Sequence, residues 1–108
     1  METNSTHFFY VLECRDGSYY AGYTNDLEAR IQKHNAGKGA KYTRARKPVS
    51  LLYNKEFETK SEALKAEYYF KKLSRKKKDE FLNMPDEEKV WGFSQGEDDD
   101  TNAGTKKL

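Results

Sequence analysis

Three charged or titratable side chains fall on helix faces where the sequence pattern otherwise places apolar residues. On the first predicted helix, Leu27 marks the buried stripe, and Arg30 and His34 continue that stripe at the i+3 and i+7 positions. On the second predicted helix, Glu67 lies about 40° from Ala63, inside the apolar arc, when each residue turns the helix by about 100°. Acidic side chains are rarely buried unless they are paired or bind a metal ion. The pattern therefore directs a carboxylate, a guanidinium and an imidazole towards one region.

These three residues by themselves leave two interpretations open. In the structural interpretation, Glu67 and Arg30 form an ion pair at the edge of the core, and His34 closes its helix at the C-terminus, where the helix dipole favours a cation. In the functional interpretation, the three groups converge on a site that binds a ligand. The first hairpin supplies further evidence.

A tyrosine-rich hairpin precedes both helices. Residues 8–24, FFYVLECRDGSYYAGYT, predict two strands around an Asp-Gly turn. A two-residue loop would place Tyr10 and Tyr20 on opposite faces, whereas a three-residue loop, with Gly17 in the left-handed position of a bulge, would pair Tyr10 with Gly22. Glycine at the third loop position favours the second register. That register puts both phenols on one face and leaves an opening beside them at Gly22.

Capping and helix-breaking residues predict the elements that must position these side chains. Strands are predicted over 7–14, 18–24 and 49–57, and helices run from the N-caps Asn25, Thr59 and Ser74 to about Gly37, Leu73 and Met84. A loop rich in Gly and Lys is predicted over 37–48, and a last turn over 86–93 would place Trp91 and Phe93 on the core. The order β-β-α-β-α-α, with a hairpin first, predicts an α+β fold, a small three-stranded antiparallel sheet flanked by helices.

The chain of 108 residues is long enough for one small domain. We expect a flexible N-terminus over 1–6, a single domain over 7–93 and a disordered acidic and polar tail over 94–108. The longest apolar run, residues 8–12, is too short to cross a membrane, and no signal-peptide pattern opens the chain. We therefore expect a cytoplasmic protein with no membrane partner and no obligate protein partner, in which the single cysteine, Cys14, is a small core residue.

Basic residues are concentrated in two segments. Residues 28–48 hold seven Lys and Arg against one Glu, and residues 71–78 hold six Lys and Arg with no acid. Two such segments on a small domain indicate a polyanionic partner, although lysine-rich helix faces are also common as solvated surface. Charge alone leaves nucleic-acid binding and simple solvation open.

Taken together, the motifs resemble the GIY-YIG nuclease superfamily, and in particular its small stand-alone bacterial branch with a single domain. FFY at residues 8–10 corresponds to the first family motif and YAG at 20–22 to the second, with ten residues from Tyr10 to Tyr20. The match covers about residues 7–82. The other family positions, which lie on the two helices, correspond to Arg30, His34 and Glu67.

The resemblance implies a GIY-YIG endonuclease-like fold that hydrolyses phosphodiester bonds in DNA with one divalent ion, Mg²⁺ or Mn²⁺, held by Glu67. Arg30 would pair with the non-bridging phosphate oxygens as negative charge builds on them. Tyr10 or Tyr20 would activate the water while the other positions it, and His34 is a third candidate for the base. The residues leave the choice of base open.

We expect the basic loop to supply nucleic-acid binding, because its cations would contact phosphates with little sequence preference. Cleavage would then be directed by the structure of the DNA rather than by its sequence. Tyr42 would either stack on a base or pack locally. Gly22, which has no side chain, would leave the space between the phenols and the phosphate open. The residues expected to bind nucleic acid are Lys38, Lys41, Tyr42, Arg44, Arg46 and Lys47.

Two alternative functions keep the same fold. A non-catalytic nucleic-acid-binding module would retain the basic loop without turnover. A structural or protein-interaction domain would require the inward-facing Arg30, His34 and Glu67 to be a coincidence.

Overall fold

The computed structural model describes residues 6–89 and Trp91. Its elements, in chain order, are β1 His7–Glu13, β2 Tyr19–Thr24, α1 Leu27–Asn35, α2 Lys41–Arg44, β3 Ser50–Phe57, α3 Lys60–Lys71, α4 Arg75–Asn83 and a 3-10 helix Asp86–Glu88. This α+β architecture confirms the predicted fold class and the predicted order of the strands and longer helices. One element departs from the prediction, since α2 lies inside the segment expected to be a loop.

The three strands form one antiparallel sheet in the order β2-β1-β3, so β1 lies in the centre. Both faces of β1 are buried. Phe9 and Val11 lie on one side, Tyr10 and Leu12 lie on the other, and none of the four is more than 1% exposed. A strand that is buried on both faces does not need polar residues alternating with apolar ones, which explains the unbroken apolar run of residues 8–12.

The turn of the first hairpin has three residues, as predicted. Gly17 has a φ of 85°, and its N–H donates to the Cys14 carbonyl at 2.9 Å. Tyr10 therefore pairs with Gly22, and Tyr10 and Tyr20 lie on the same face of the sheet. The predicted register is confirmed.

The face that carries the phenols packs against α1. Its buried cluster and the half-buried side chains packed on it are Tyr10, Leu12, Cys14, Val49, Tyr20, Leu27 and Ile31. The stripe predicted from Leu27 thus faces the sheet. This orientation buries His34 fully and leaves Arg30 half-buried at the same face of the helix.

Helix α1 begins one residue later than predicted, because Asp26 and not Asn25 is its N-cap. The Asp26 carboxylate accepts the Ala29 N–H at 3.2 Å. The choice is made by Thr24, whose hydroxyl oxygen accepts the Asp26 N–H at 3.1 Å and holds the chain in a turn before the helix starts. The two other predicted N-caps are confirmed by hydroxyl oxygens that accept backbone N–H groups at 3.1 and 3.2 Å, those of Thr59 and Ser74.

One side chain ties the end of α1 to the start of β3. The Asn35 side chain accepts the Val49 N–H at 2.7 Å and donates to the Val49 carbonyl at 3.1 Å, as a neighbouring strand would. Both ends of the intervening segment 36–48 are thereby anchored. This segment contains α2.

Backbone contacts group the described residues into two compact units, one ending at Glu67 and the other beginning at Tyr68. The first contains the sheet, α1 and α2. In the second, Phe81 packs edge-to-face against Phe70 at 6.0 Å and against Trp91 at 4.9 Å between ring centroids. The single domain over 7–93 stays a prediction.

Several predicted features lie outside the described residues. They are the flexible N-terminus over 1–6 apart from Thr6, Phe93 of the last turn, and the tail over 94–108. Among the helices of the described residues, none has the length and apolar character needed to span a membrane. The cytoplasmic location stays a prediction.

Candidate active site

The phenol of Tyr10 lies over the backbone of Gly22. A Cβ at position 22 would be 2.6 Å from the Tyr10 Oη and 2.7 Å from its Cζ, closer than real Cβ atoms approach other groups. Glycine is therefore required at this position by the ring opposite it. The predicted opening at Gly22 is wrong, because the Tyr10 side chain itself fills the space.

His34 binds the same phenol from α1. Its Nε2 lies 2.9 Å from the Tyr10 Oη, and its Nδ1 lies 2.8 Å from the Thr43 Oγ1. His34 and Thr43 are both fully buried, so water does not compete for these hydrogen bonds. Both ring nitrogens of His34 are engaged by protein groups.

A second glycine makes room for the imidazole. A Cβ at Gly39 would lie 2.8 Å from both Cγ and Cε1 of His34 and closer still to its Nδ1. Gly39 directly precedes Ala40, the N-cap of the short helix that carries Thr43. The absence of a side chain at this position thus lets the segment approach the ring closely enough for Thr43 to bind it.

Tyr20 completes an aromatic cluster around the histidine. Its ring centroid lies 5.1 Å from that of His34 and 6.4 Å from that of Tyr10. Tyr42 of α2 stacks on Tyr20, with centroids 6.2 Å apart and ring planes inclined by 23°. Tyr20 is half-buried and Tyr10 is buried, so Tyr20 is the more accessible phenol.

Arg30 and Glu67 act on this cluster through charge. Burial raises the pKa of the Tyr10 phenol well above its ordinary value, Tyr20 and Glu67 raise it further, and Arg30 opposes the increase. Burial lowers the pKa of His34, and Arg30 lowers it further. Tyr10 is therefore protonated and His34 neutral at pH 7. The structure brings all five predicted catalytic positions into one region, and their catalytic roles stay predictions.

The predicted nucleic-acid-binding residues surround Thr43 on the segment after α1. Arg46 is half-buried, with its Nε 3.1 Å from the Asp16 Oδ2 and its Cζ 3.9 Å from the centroid of the Tyr42 ring. Tyr42 is 38% exposed and packs locally against Tyr20 and Arg46. Its stacking on a base stays a prediction. The exposed cations of the set are Lys38, Lys41, Arg44 and Lys47.

The match to known families extends over most of the described residues. The family model of the GIY-YIG catalytic domain matches residues 6–80. The chain belongs to the GIY-YIG family.

Its relatives in this family include small bacterial proteins. A UPF0213 protein of Bacillus licheniformis is 68% identical over 82 residues, which cover 76% of this chain and 84% of the relative. The UPF0213 protein YazA of Bacillus subtilis is 62% identical over 82 residues, which cover 76% of this chain and 82% of the relative. A solution NMR structure of an E. faecalis protein is 55% identical, has a TM-score of 0.52, and covers 76% of this chain and 88% of that one. GIY-YIG proteins are usually nucleases, whereas these names assign no activity.

GIY-YIG nucleases typically use divalent metal ions, and Glu67 is the predicted ligand in this chain. Within residues 6–89 and Trp91, no three His, Cys, Asp or Glu side chains are grouped so that they could hold a metal ion. One carboxylate ligand from the protein does not suit zinc, which takes three or four nitrogen, sulfur or oxygen ligands from the protein. It fits Mg²⁺ or Mn²⁺, because these hard cations accept one carboxylate and complete their coordination with water and phosphate.

Sequence reasoning about the GIY-YIG motifs missed Gly39 and Thr43. Helix α2 has four residues, too few to show a helical period, and its threonine stands among cations that indicate a solvated loop. One signal was available in the segment GKGAKYTRARKP. Thr43 is its only hydroxyl side chain other than the Tyr42 phenol, and Gly39 is a second glycine beyond the one that ends the helix.

Proposed function

We propose that this GIY-YIG protein is a divalent-metal-dependent endonuclease that hydrolyses phosphodiester bonds in DNA and is directed by DNA structure rather than by base sequence. One observation supports it best. Tyr10 and His34 form a buried hydrogen-bonded pair, and the charges of Arg30 and Glu67 both act on its phenol. A core built only for stability would place apolar groups here, and polar groups that break the apolar pattern are expected at functional sites.

The proton states of the pair suggest how water is activated. His34 is neutral and can accept a proton, but both of its ring nitrogens are engaged by protein groups, one of them by the Tyr10 phenol, so it acts through Tyr10. Water gives a proton to the Tyr10 Oη while Tyr10 gives its own proton to the His34 Nε2. Tyr10 never becomes a phenolate, so its raised pKa does not oppose the reaction. Tyr20, the more accessible phenol, positions the water.

The remaining steps follow from the charges around the phosphate. The oxygen of the deprotonated water forms a bond to phosphorus, the bond from phosphorus to the leaving sugar oxygen breaks, and that oxygen takes a proton from solvent. Arg30 pairs with the non-bridging oxygens, where negative charge increases in the transition state. A divalent ion bound at Glu67 would supply Lewis-acid polarisation of the phosphate.

The exposed cations around α2 would hold the DNA backbone. The side chains that remain exposed are Lys38, Lys41, Arg44 and Lys47, whereas Arg46 is paired with Asp16 and lies on the Tyr42 ring. Contacts to phosphate position a duplex without reading its bases. The expected binding is therefore salt-dependent and tolerant of sequence.

The test is cleavage of labelled single-stranded, duplex, flapped and branched DNA, each with Mg²⁺, Mn²⁺ or EDTA. Glu67→Gln should lose activity by about 100-fold or more, because several kcal/mol of charge stabilisation in the transition state is removed. Glu62→Gln makes the same change at an exposed position of the same helix and should cleave as the wild type does.

Three outcomes would count against parts of the proposal. If the wild type binds DNA in a salt-sensitive way but cleaves none with either metal, the endonuclease proposal is wrong and the non-catalytic binding module is supported. Equal cleavage by Glu67→Gln and the wild type removes the metal-ligand role of Glu67. Cleavage of matched RNA substrates in preference to DNA would change the substrate class.

A further inference from the structure

A chain of hydrogen bonds runs through the buried side of the site. Tyr10 Oη lies 2.9 Å from His34 Nε2, His34 Nδ1 lies 2.8 Å from Thr43 Oγ1, and the Thr43 hydroxyl donates to the Ala40 carbonyl at 3.0 Å. None of the three side chains is more than 1% exposed. The positions of the protons in this series of hydrogen bonds are therefore determined by the protein groups themselves.

Counting protons gives the chain one direction. The Thr43 hydroxyl oxygen lies 3.0 Å from the Ala40 carbonyl oxygen, which can only accept, so the single hydroxyl proton of Thr43 points at this carbonyl, which also accepts the N–H groups of Thr43 and Arg44 at 3.2 Å. The Thr43 oxygen must then accept a hydrogen bond from His34, which places the imidazole proton on Nδ1. A neutral imidazole has one N–H, so its Nε2 is bare and accepts the proton of the Tyr10 phenol.

The opposite assignment is unfavourable at Thr43. If Thr43 donated to His34 Nδ1, its oxygen would lie 3.0 Å from the Ala40 carbonyl oxygen with no proton between them, although that carbonyl would still accept the N–H groups of Thr43 and Arg44 at 3.2 Å. The Ala40 N–H could favour that arrangement, but it lies 3.5 Å from Nδ1, at the outer limit for a hydrogen bond. The 2.8 Å bond between Thr43 and Nδ1 exists in both arrangements, and the 3.0 Å bond from the Thr43 hydroxyl to the Ala40 carbonyl outweighs the 3.5 Å contact.

We propose that Thr43 is a positioning residue that holds His34 in the Nδ1–H tautomer, so that the bare Nε2 faces the Tyr10 phenol as a proton acceptor. Thr43 is hydrogen-bonded to the imidazole, which in turn is hydrogen-bonded to the phenol, so Thr43 acts through the imidazole. Gly39 contributes to the same arrangement, because a side chain at this position would push the segment that carries Thr43 away from the His34 imidazole. The consequence for cleavage rests on the proposed function, whereas the tautomer does not.

The tautomer can be measured without any activity. The chain has two histidines, so untagged protein labelled with ¹⁵N-histidine gives two imidazoles in a long-range ¹H–¹⁵N correlation spectrum, and His7→Asn assigns the signals of His34. At pH 7.5 we expect protonated Nδ1 and bare Nε2 in the wild type. Thr43→Val, which keeps the shape and removes the hydroxyl, should shift His34 towards the Nε2–H form, and Thr43→Ser should restore the wild-type pattern.

The kinetic readout follows from the same variants. Thr43→Val should lower kcat by about 10- to 100-fold with KM little changed, part of the roughly 10²- to 10⁴-fold contribution of a general base. Thr43→Ser should recover most of that loss.

Nε2–H in the wild type, or a Thr43→Val spectrum identical to the wild-type one, overturns the proposal. If Thr43→Val does not fold, the wild-type spectrum still decides the tautomer, and Thr43→Ser decides whether a hydroxyl suffices. A wild type that shows the Nδ1–H tautomer but cleaves no DNA under any metal overturns the proposed function and leaves the role of Thr43 standing.

Discussion

Replacing Gly22 with alanine tests directly how the phenol is held. The new Cβ would lie 2.6 Å from the Tyr10 Oη, whereas ordinary contact begins at 3.4 Å, so the phenol must move by about 0.8 Å. The ring is only 1% exposed and has no room to swing into solvent. The movement must therefore stretch or break the 2.9 Å hydrogen bond to His34.

Two costs then add. Overpacking a buried site costs about 1–3 kcal/mol, and a buried polar group left without its partner costs about 1–3 kcal/mol. We expect Gly22→Ala to lower the free energy of unfolding by about 2–6 kcal/mol. We also expect kcat/KM for DNA cleavage to fall by about 100-fold, because displacing a reacting group by about 1 Å has an effect of that size.

Urea unfolding followed by circular dichroism measures the first effect, and cleavage at a temperature where both proteins are folded measures the second. Gly17→Asn is the matched control in the same hairpin. Asparagine tolerates the positive φ of this position, and no atom lies within 4 Å of the added Cβ, so activity should be unchanged. A Gly22→Ala protein with wild-type stability and activity would refute the packing of Tyr10 on this backbone.

Three further predictions concern protons and charge. If His34 is the final proton acceptor, kcat/KM should fall with acid below a pKa under about 6.5 and stay flat from about pH 7 to 9. The free energy of unfolding should also fall as pH drops through about 6.5, by at most about 1.4 kcal/mol per pH unit, because the unfolded chain then binds a proton that buried His34 does not. Denaturant titrations from pH 8 to 5 measure this decrease, and the part of it that His34 causes should be absent in His34→Gln. Arg44→Ala should reduce the slope of log affinity for duplex DNA against log salt by about 1, measured by fluorescence anisotropy.

Each of these predictions has a contrary outcome. A rate that rises about tenfold per pH unit towards pH 10 would assign the base to a phenolate, and Tyr20 would then be the candidate. Equal pH dependence of stability in the wild type and His34→Gln would show that the imidazole is not held neutral. An unchanged salt slope for Arg44→Ala would place the DNA backbone elsewhere on the surface.

Much of the fold could be predicted because its signals are local. Gly17 at the third loop position indicated a positive φ, which only a few residues tolerate, and that φ sets the register pairing Tyr10 with Gly22. The apolar stripe of α1 indicated which face meets the sheet, and this orientation brings Arg30 and His34 inward. Hydroxyl caps likewise predicted the starts of α3 and α4.

The two errors have different causes. Asparagine and aspartate are nearly equal as N-caps, so only the hydrogen bond from the Asp26 N–H to the Thr24 hydroxyl selects Asp26 over Asn25. The space above Gly22 could be recognised from the register, but its occupant depends on the rotamer of Tyr10 in the packed core. The first choice is made by a threonine two residues before the cap, whereas the second is made by the packing of the core.

The sequence by itself determined which chemical groups are present, which strand positions oppose each other and which helix face turns inward. Only the tertiary structure decided how those groups are protonated and what they touch. The pKa values of Tyr10 and His34 shift first through burial, and burial depends on everything packed around them. The tautomer of His34 depends on Thr43, which reaches the imidazole only because α1, Gly39 and α2 fold together. Hydrogen-bond direction is a property of that assembly, since each proton is placed by partners from different segments.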